Sequence, residues 1–225
     1  MATWDELFYT EKNVERIPEA EVYRFARLLE KCFPNPVLNF WDLGCGGGRH
    51  SIALAKLKHQ VYASDNSKRG VELLSEWAKQ FDLHIPTSVS EMTDTPFPGI
   101  KFHGVISWDV LQHNTLANIE KSVNIIHRSL LPGGMLLATI KSDKADLYGK
   151  GREIEPKTFV NDTGKEAGVP HHYFDEPGIR ALFPNSKWII KALVEQVITN
   201  VEQPDKFWEY TPFRFTNWGV LMEKK

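Results

Sequence analysis

A glycine-rich segment, Gly44-Cys45-Gly46-Gly47-Gly48, lies between an apolar run that ends at Leu43 and a segment with helical periodicity. Glycines adopt positive φ angles and carry no side chain, so backbone N–H groups in such a loop can approach a ligand closely. A helix that begins near Gly48 would direct the positive end of its dipole to the same place. The segment therefore predicts a site for a small ligand with an anionic or strongly polar end.

Two acidic residues accompany this loop. Asp42 stands just before its first glycine, and Asp65 ends the next strand-like segment, 17 residues after Gly48. An acid placed there can accept hydrogen bonds from both ribose hydroxyls of a nucleoside. Each charge-assisted hydrogen bond contributes roughly 1.5–3 kcal/mol, so this carboxylate would provide much of the affinity. The alternative is an acid that begins a helix beside Asn66 and Ser67.

Strand-like and helical segments alternate along the first 140 residues, which favours right-handed crossovers and a mostly parallel sheet. The patterns predict helices over 19–31, 49–58, 67–80, 115–130 and 176–182, and strands over 37–43, 60–65, 83–89, 102–108, 135–140, 188–199 and 213–222. The last two strands are expected to form an antiparallel pair. The polar stretch 141–169 shows no period and is expected to be a functional or mobile loop.

The spacing of the glycines distinguishes two families. The dinucleotide fingerprint needs a third glycine where Arg49 or Ser51 stands. By contrast, Asp42-Leu43-Gly44-Cys45-Gly46-Gly47-Gly48 resembles motif I of the class I S-adenosylmethionine-dependent methyltransferases. The resemblance covers about 37–140 and implies a Rossmann-like, doubly wound, seven-stranded α/β fold. The general pattern looks like the compact bacterial enzymes of the tellurite-resistance type, although tellurite is not carried over as a substrate.

The resemblance also implies roles for residues outside the loop. In that family, acidic and apolar groups after the third strand surround the adenine ring of the cofactor. The segment 107–113 resembles motif IV, whose backbone holds the methionine moiety. An aromatic or basic group would bind the carboxylate of that methionine moiety. The cofactor residues predicted in this way are Tyr9, Asp42, Gly44, Cys45, Gly46, Gly48, Arg49, Asp65, Asn66, Glu91, Met92, Trp108 and Asp109. For Arg49 a plain solvated side chain, and for Tyr9 a packing role, remain open alternatives.

Methyl transfer is an in-line displacement that needs an aligned nucleophile and, where the nucleophile carries a proton, a base. Histidines that follow motif IV or precede the last helix are the candidates: His113, His171 and His172. Each has a structural alternative. No metal is expected, because His171 and His172 are adjacent and no H-x-E or H-x-x-x-H spacing accompanies them.

The composition of the chain limits which classes of binding partner it can have. With 225 residues the chain suits one domain, and its net charge of −2 lacks the basic excess of nucleic-acid binders. No apolar run approaches the ~20 residues of a membrane span. The 2 cysteines form no C-x-x-C pair and suit a reducing cytoplasm. We therefore expect a cytoplasmic protein that is a monomer or a homodimer. The chain should form a single domain, 1–225, in which the segments 1–33 and 141–173 cover a small-molecule substrate.

Two other functions stay open at this point. A nicotinamide-dependent oxidoreductase would use a similar glycine loop, and a regulatory module would bind the cofactor without turnover. A regulatory module would keep the same acidic residues and glycines in order to bind the cofactor, so their presence does not exclude it.

Overall fold

The computed structural model describes residues 4–9, 14–164, 166–199 and 214–225, without the side chains of Leu7, Tyr9, Val197, Ile198, Thr199, Arg214 and Phe215. The helices are α1 (Trp4–Tyr9), α2 (Ala20–Cys32), α3 (Arg49–Lys56), α4 (Lys68–Gln80), α5 (Leu116–Ser129) and α6 (Glu176–Leu182). The strands are β1 (Asn39–Leu43), β2 (Gln60–Asp65), β3 (Thr87–Val89), β4 (Phe102–Ser107), β5 (Leu130–Lys141), β6 (Arg152–Glu155), β7 (Thr158–Val160), β8 (Pro170–His172), β9 (Trp188–Thr199) and β10 (Arg214–Lys224). Among the helices of these ranges, none has the length and apolar character to cross a membrane.

Seven strands form the main sheet in the order β3-β2-β1-β4-β5-β10-β9. The pairs among β1 to β5 are parallel, whereas β10 pairs antiparallel with both β5 and β9. The predicted doubly wound, mostly parallel sheet with an antiparallel C-terminal pair is confirmed. The strand order reverses between β1 and β4, and ligands of open α/β sheets bind at the carboxyl ends of strands beside such a reversal.

Strand β1 shows how the sheet is buried on both faces. Trp41 and Leu43 belong to one apolar cluster with Ile119 of α5, whereas Phe40 belongs to another cluster with Phe25 of α2. Successive side chains of a strand point to opposite faces, so an apolar run without alternation is what a doubly covered strand requires. The helices thus fix β1, and with it the loop that follows.

Strand β3 is shorter than the predicted 83–89. Pro86 stands before it and has no N–H to donate, although its carbonyl accepts a 2.9 Å hydrogen bond from the Ala63 N–H of β2. Regular pairing therefore begins only at Thr87. The apolar residues Leu83 and Ile85 instead pack beside the helices as partly buried side chains.

The stretch 141–169 differs most from expectation, because it is not structureless. Within it β6 and β7 pair antiparallel, and β8 joins them to form a three-stranded sheet. Each of these strands has only three or four residues, too few to show a period in the sequence. Strand β5 also begins earlier than predicted, since the turn-like Pro132-Gly133-Gly134 lies within it as an irregularity in its pairing with β4.

Candidate active site

The glycine loop leaves β1 at the reversal of strand order. Gly44, Gly46 and Gly48 have φ angles of 74°, 49° and 90°, a region that residues with a Cβ rarely adopt. The N–H groups of Gly44 and Cys45 both donate to the Ser64 carbonyl of β2, at 2.7 and 3.0 Å. Gly48 precedes α3 without a side chain to cap it. The Ser51 N–H of α3 is bonded to Asp42, so the N–H groups of Arg49 and His50 are the ones that can meet a ligand.

Asp65 connects this loop to the end of β2. One carboxylate oxygen accepts a 2.8 Å hydrogen bond from the Gly46 N–H, and the other accepts a 2.8 Å hydrogen bond from the Ser67 N–H. Burial raises the pKa of this carboxyl group, while the two N–H donors act in the opposite direction. Each oxygen retains a second lone pair, which leaves Asp65 able to accept from the two hydroxyls of a bound sugar.

A cavity of about 710 Å³ opens above the loop, within the ~300–1,000 Å³ of small-molecule sites. Residues from α1, the glycine loop, the ends of β2, β3 and β4, and the segment before β8 line it. They are Trp4, Asp5, Phe8, Glu15, 43–50, Asp65, Asn66, 90–92, 108–110, His113, Asn114, Glu166 and 168–170.

Three buried polar atoms of this lining have no hydrogen-bond partner within the described ranges. They are the Ser90 hydroxyl, next to Glu91, Nε2 of His50 on α3, and Nδ1 of His113. Buried polar groups are almost always paired, so unpaired ones in a cavity point to a polar ligand. Together with the glycine loop and Asp65, they fit a nucleoside compound with a polar tail.

The comparisons with known proteins agree with this geometry. Residues 40–134 match a protein family described as "Methyltransferase domain", and this segment contains the glycine loop, Asp65 and the end of β4. The match covers less than half of the chain, and over this part the chain is similar to S-adenosylmethionine-dependent methyltransferases. S-adenosylmethionine is therefore the group against which the cavity has to be compared.

Curated relatives carry related names. The chain is 26% identical over 118 residues to a ubiquinone biosynthesis O-methyltransferase of Brucella ovis, covering 52% of this chain and 47% of that protein. It is 27% identical over 127 residues to the protein of that name from Cereibacter sphaeroides, with 56% and 51% covered. The chain thus spans about half the length of these relatives.

Solved structures share the fold. The chain resembles TehB from Haemophilus influenzae with a TM-score of 0.68 and 16% identity, covering 99% of this chain and 68% of that one. A structure of S-adenosylmethionine-dependent methyltransferases from Methanosarcina mazei gives a TM-score of 0.72 at 16% identity, with 92% and 98% covered. A Burkholderia thailandensis 1,6-didemethyltoxoflavin-N1-methyltransferase, solved with S-adenosylhomocysteine, gives 0.63 at 17% identity, with 92% and 79% covered.

Most of the predicted cofactor residues meet at this cavity. Its lining includes Gly44, Cys45, Gly46, Gly48, Arg49, Asp65, Asn66, Glu91, Met92, Trp108 and Asp109. Of the two others, Tyr9 has a side chain outside the described part of the chain, so its predicted contact is not placed. Asp42 lies behind the cavity wall.

The position of Asp42 follows from the pleat of β1. Its buried carboxylate accepts a 2.5 Å hydrogen bond from the Ser51 hydroxyl of α3, on the face opposite Leu43. Burial raises the pKa of Asp42 to about 6, against the Ser51 hydrogen bond. Asp42 thus joins the helix to the strand that carries the loop, and supports the cofactor residues from behind.

Arg49 lines the cavity with its guanidinium already engaged. It forms ion pairs with Glu15 and Glu19 and donates a 3.3 Å hydrogen bond to the Ile17 carbonyl. The arginine therefore ties the segment before α2 to the start of α3. Binding the methionine carboxylate, as predicted, would require it to exchange the exposed Glu15 for that ligand.

Helix α1 covers the loop side of the cavity. A Cβ on Gly46 would lie 2.9 Å from the Phe8 ring, so this ring rests directly on the glycine. Asp5 accepts a 2.7 Å hydrogen bond from the Ser67 hydroxyl and a 3.0 Å hydrogen bond from the Arg69 N–H, which anchors α1 to the start of α4. The hydrophobic composition of 4–9 predicted a lid but not these two contacts.

The segment after β4 forms the opposite wall. Trp108 packs edge-on against His50, with ring centroids 5.8 Å apart. Asp109, at a φ of 56°, has its N–H donating to the Thr139 hydroxyl at 2.8 Å and its carboxylate accepting from Asn217 at 3.2 Å. Burial raises the pKa of Asp109. Strands β5 and β10 thus hold the wall in place.

The three predicted histidines have different surroundings. Only His113 lines the cavity, where it stacks edge-on with Trp4 at 4.9 Å and with His171 at 4.7 Å. His171 is buried behind it and pairs with Glu166. His172 points to the other side of β8, where its Nδ1 lies 2.6 Å from the Thr158 hydroxyl and its ring packs on Phe174.

Sequence reasoning missed several residues of the site. Glu166 is the principal one, since it lies in the stretch without periodicity and reaches the cavity only because β8 folds back beside the end of β4. Ser90, His50 and Asn114 were also missed. Ser90 and Asn114 had a weak signal, because each directly follows or adjoins a predicted contact residue.

Proposed function

We propose that this chain transfers a methyl group from S-adenosylmethionine to a small-molecule acceptor. The observation that carries the proposal is the joint position of Asp65 and the glycine loop at the reversal of strand order, bonded to each other and exposed to one cavity. In this assignment Asp65 binds the ribose hydroxyls, Glu91 and Met92 lie at the adenine, and the N–H groups at the start of α3 bind the methionine carboxylate.

The charge of the cavity supports this cofactor. Its lining carries the acids Asp5, Glu15, Asp65, Glu91, Asp109 and Glu166, against the single guanidinium of Arg49 among the lysines and arginines of the lining. S-adenosylmethionine brings a sulfonium and an ammonium group, which such a lining attracts. Trp4, Phe8 and Trp108 add aromatic faces that suit a sulfonium cation.

The cofactor supplies a methyl carbon already activated by its sulfonium. The chain's own residues then have to align the acceptor and exclude water. Helix α1 and the segment before β8 suit that task, because Trp4, Phe8 and Pro170 close the cavity on the side away from the sheet. We place the acceptor against His113, the one predicted histidine that reaches this space.

A small acceptor is proposed because the cavity is acidic and is lined by α1 on one side and by residues beside the three-stranded sheet on another. The net charge of −2 argues against a nucleic-acid substrate. We further propose one domain over 1–225, with 1–33 and 141–173 on the acceptor side, acting in the cytoplasm as a monomer or homodimer. The free thiols of Cys32 and Cys45 support that compartment.

Thermal shift with S-adenosylhomocysteine and with NAD tests the cofactor. A ligand at 100 times its dissociation constant adds about 2.7 kcal/mol, so S-adenosylhomocysteine should raise the melting temperature and NAD should not. Stabilisation by NAD alone would favour the oxidoreductase instead. Transfer of tritiated methyl groups into a fractionated metabolite extract then tests turnover, and binding without transfer to any fraction would favour a regulatory module.

A further inference from the structure

Three side chains that suit a metal ion meet at the acceptor side of the cavity. His113, Glu166 and His171 each offer one donor atom, and these atoms all lie within 4.8 Å of one another. His113 follows β4, Glu166 stands in the loop before β8, and His171 lies on β8. We refer to these three residues as the His–Glu–His cluster.

The hydrogen bonds of His171 are those of a metal-binding imidazole. Its Nδ1 lies 3.0 Å from the Val169 carbonyl and donates to it, which directs Nε2 towards Glu166. Ligating histidines commonly donate their second N–H to a backbone carbonyl, which fixes the tautomer and the ring. Nε2 lies 2.7 Å from the Glu166 carboxylate, so two atoms that can bind one cation already face each other.

The imidazole of His113 is incompletely bonded. Its buried Nδ1 has no hydrogen-bond partner within the residues that the structure describes, and the same holds for Oε1 of neighbouring Gln112. A ring nitrogen without a hydrogen-bond partner is free to bind a metal ion through its lone pair.

We propose that the His–Glu–His cluster binds a divalent transition-metal ion of the Zn²⁺ type. Two imidazoles and one carboxylate form a ligand set that Zn²⁺ and Fe²⁺ occupy in other proteins, with positions left open for a further ligand. His113 and Glu166 line the cavity, so the open positions face it. That the acceptor's heteroatom fills one of them rests on the proposed function.

Lys141 offers a second way to test the same site by substitution. Its Nζ lies 3.8 Å from the Glu166 carboxylate, so the ammonium group competes with a metal ion for that oxygen. Replacing it by an apolar side chain of similar length should therefore tighten metal binding, an effect that a purely structural ion-pair network would not produce.

The experiment is a calorimetric titration of the full-length chain with Zn²⁺, in the presence of saturating S-adenosylhomocysteine. We expect one ion per chain, and visible absorption bands of a low-symmetry site when Co²⁺ is used. Glu166→Gln preserves the shape of the side chain but removes the charged ligand. It should weaken Zn²⁺ binding by at least about 10-fold, because replacing a residue that only supports a metal ligand already costs about that much affinity. Lys141→Met should strengthen it, and Mg²⁺, which prefers oxygen ligands, should not compete.

The exposed His84 supplies the matched control, since His84→Asn removes an imidazole outside the cluster and should leave the Zn²⁺ affinity unchanged. Should Glu166→Gln fail to bind S-adenosylhomocysteine, His113→Asn replaces it as the test variant. The proposal is overturned if Zn²⁺ does not bind, or binds equally well to the wild type and to the folded cluster variant. In either case retained S-adenosylhomocysteine binding leaves the proposed methyl transfer standing, whereas loss of that binding in the wild type contradicts the proposed function itself.

Discussion

The two sides of the cavity are held in different ways. On the cofactor side, backbone N–H groups of Gly44, Cys45 and Gly46 bond to the end of β2, so the loop geometry follows from the sheet. On the acceptor side, the contacts run between side chains, from Trp4 to His113 and on to the His171–Glu166 pair. A backbone-held site is formed before the ligand arrives, whereas side chains can turn towards different ligands.

This contrast predicts where substitutions act. Changes on the cofactor side should alter stability or the affinity for S-adenosylhomocysteine. Changes on the acceptor side should leave that affinity almost unchanged and act on turnover.

The largest effect should come from pH through Asp42. An unfolded aspartate ionises near ~3.9, whereas folding raises the pKa of Asp42 to about 6. Between these values the folded state keeps a proton that the unfolded state releases. The free energy of unfolding should therefore fall as the pH rises from about 4 to 6, by roughly 3 kcal/mol, and stay at the lower level above that window.

Asp42→Asn removes this titration while it keeps an acceptor for the Ser51 hydroxyl. Urea unfolding at a series of pH values should show that the free energy of unfolding of the variant rises relative to that of the wild type as the pH increases through this window. The control, Asp162→Asn, alters an exposed aspartate and should follow the wild type. Parallel curves for Asp42→Asn and the wild type would show that Asp42 is already ionised in the folded chain.

The next effect concerns ligand binding by Asp65. Asp65→Ala should weaken S-adenosylhomocysteine binding by roughly 100-fold, because two hydrogen bonds to a charged acceptor are lost. Calorimetry measures the change, with Asp162→Ala as the control of equal chemistry at an exposed site. An unchanged affinity would remove Asp65 from the ribose site and weaken the contrast between the two sides.

A pair of glycines separates backbone strain from crowding. Gly48 and Gly99 have φ angles of 90° and 83°, but a Cβ on Gly48 would lie 2.2 Å from the Leu74 side chain, whereas a Cβ on Gly99 meets nothing within 4 Å. Each alanine variant pays about 1–2 kcal/mol for its backbone conformation, and only Gly48→Ala adds overpacking of about 1–3 kcal/mol. Chemical denaturation should give a lower free energy of unfolding for Gly48→Ala than for Gly99→Ala. Equal losses of stability in the two variants would contradict the close packing of the loop on α4.

The smallest expected change in cofactor affinity belongs to His113→Ala. Its ring contacts Trp4 and His171 rather than the glycine loop, so S-adenosylhomocysteine affinity should stay within about 2-fold while methyl transfer falls. Calorimetry and the tritium assay on one preparation measure both quantities. A large loss of cofactor affinity would mean that the two sides are coupled through α1.

The same contrast explains what the sequence could predict. Residues at the ends of β1, β2 and β4 are brought together by strand order, so Gly44, Asp65 and Trp108 could be assigned from spacing and the family resemblance. Local signals also located a helix start: the pattern predicts a helix from residue 67, and in the structure Ser67 accepts the Gly70 N–H and caps α4. Asp42 shows the limit, because alternation along β1 turns it away from the cavity.

Glu166 escaped prediction for a physical reason. Glu166 and His113 are neighbours only because short strands fold 141–173 back over the sheet, and strands of three residues leave no period. The spacing of His171 and His172 argues against a metal site formed by this pair, because the two side chains face opposite sides of β8. It carries no information about His113 and Glu166, whose donor atoms lie close to that of His171.

The central claim is tested most directly by a crystal structure of the chain grown with S-adenosylhomocysteine. We predict the ligand in the cavity above Gly44 to Gly48, its ribose hydroxyls on the Asp65 carboxylate and its sulfur towards His113. A vacant cavity in that crystal, or a ligand bound with Asp65 out of reach of its ribose, would contradict the account.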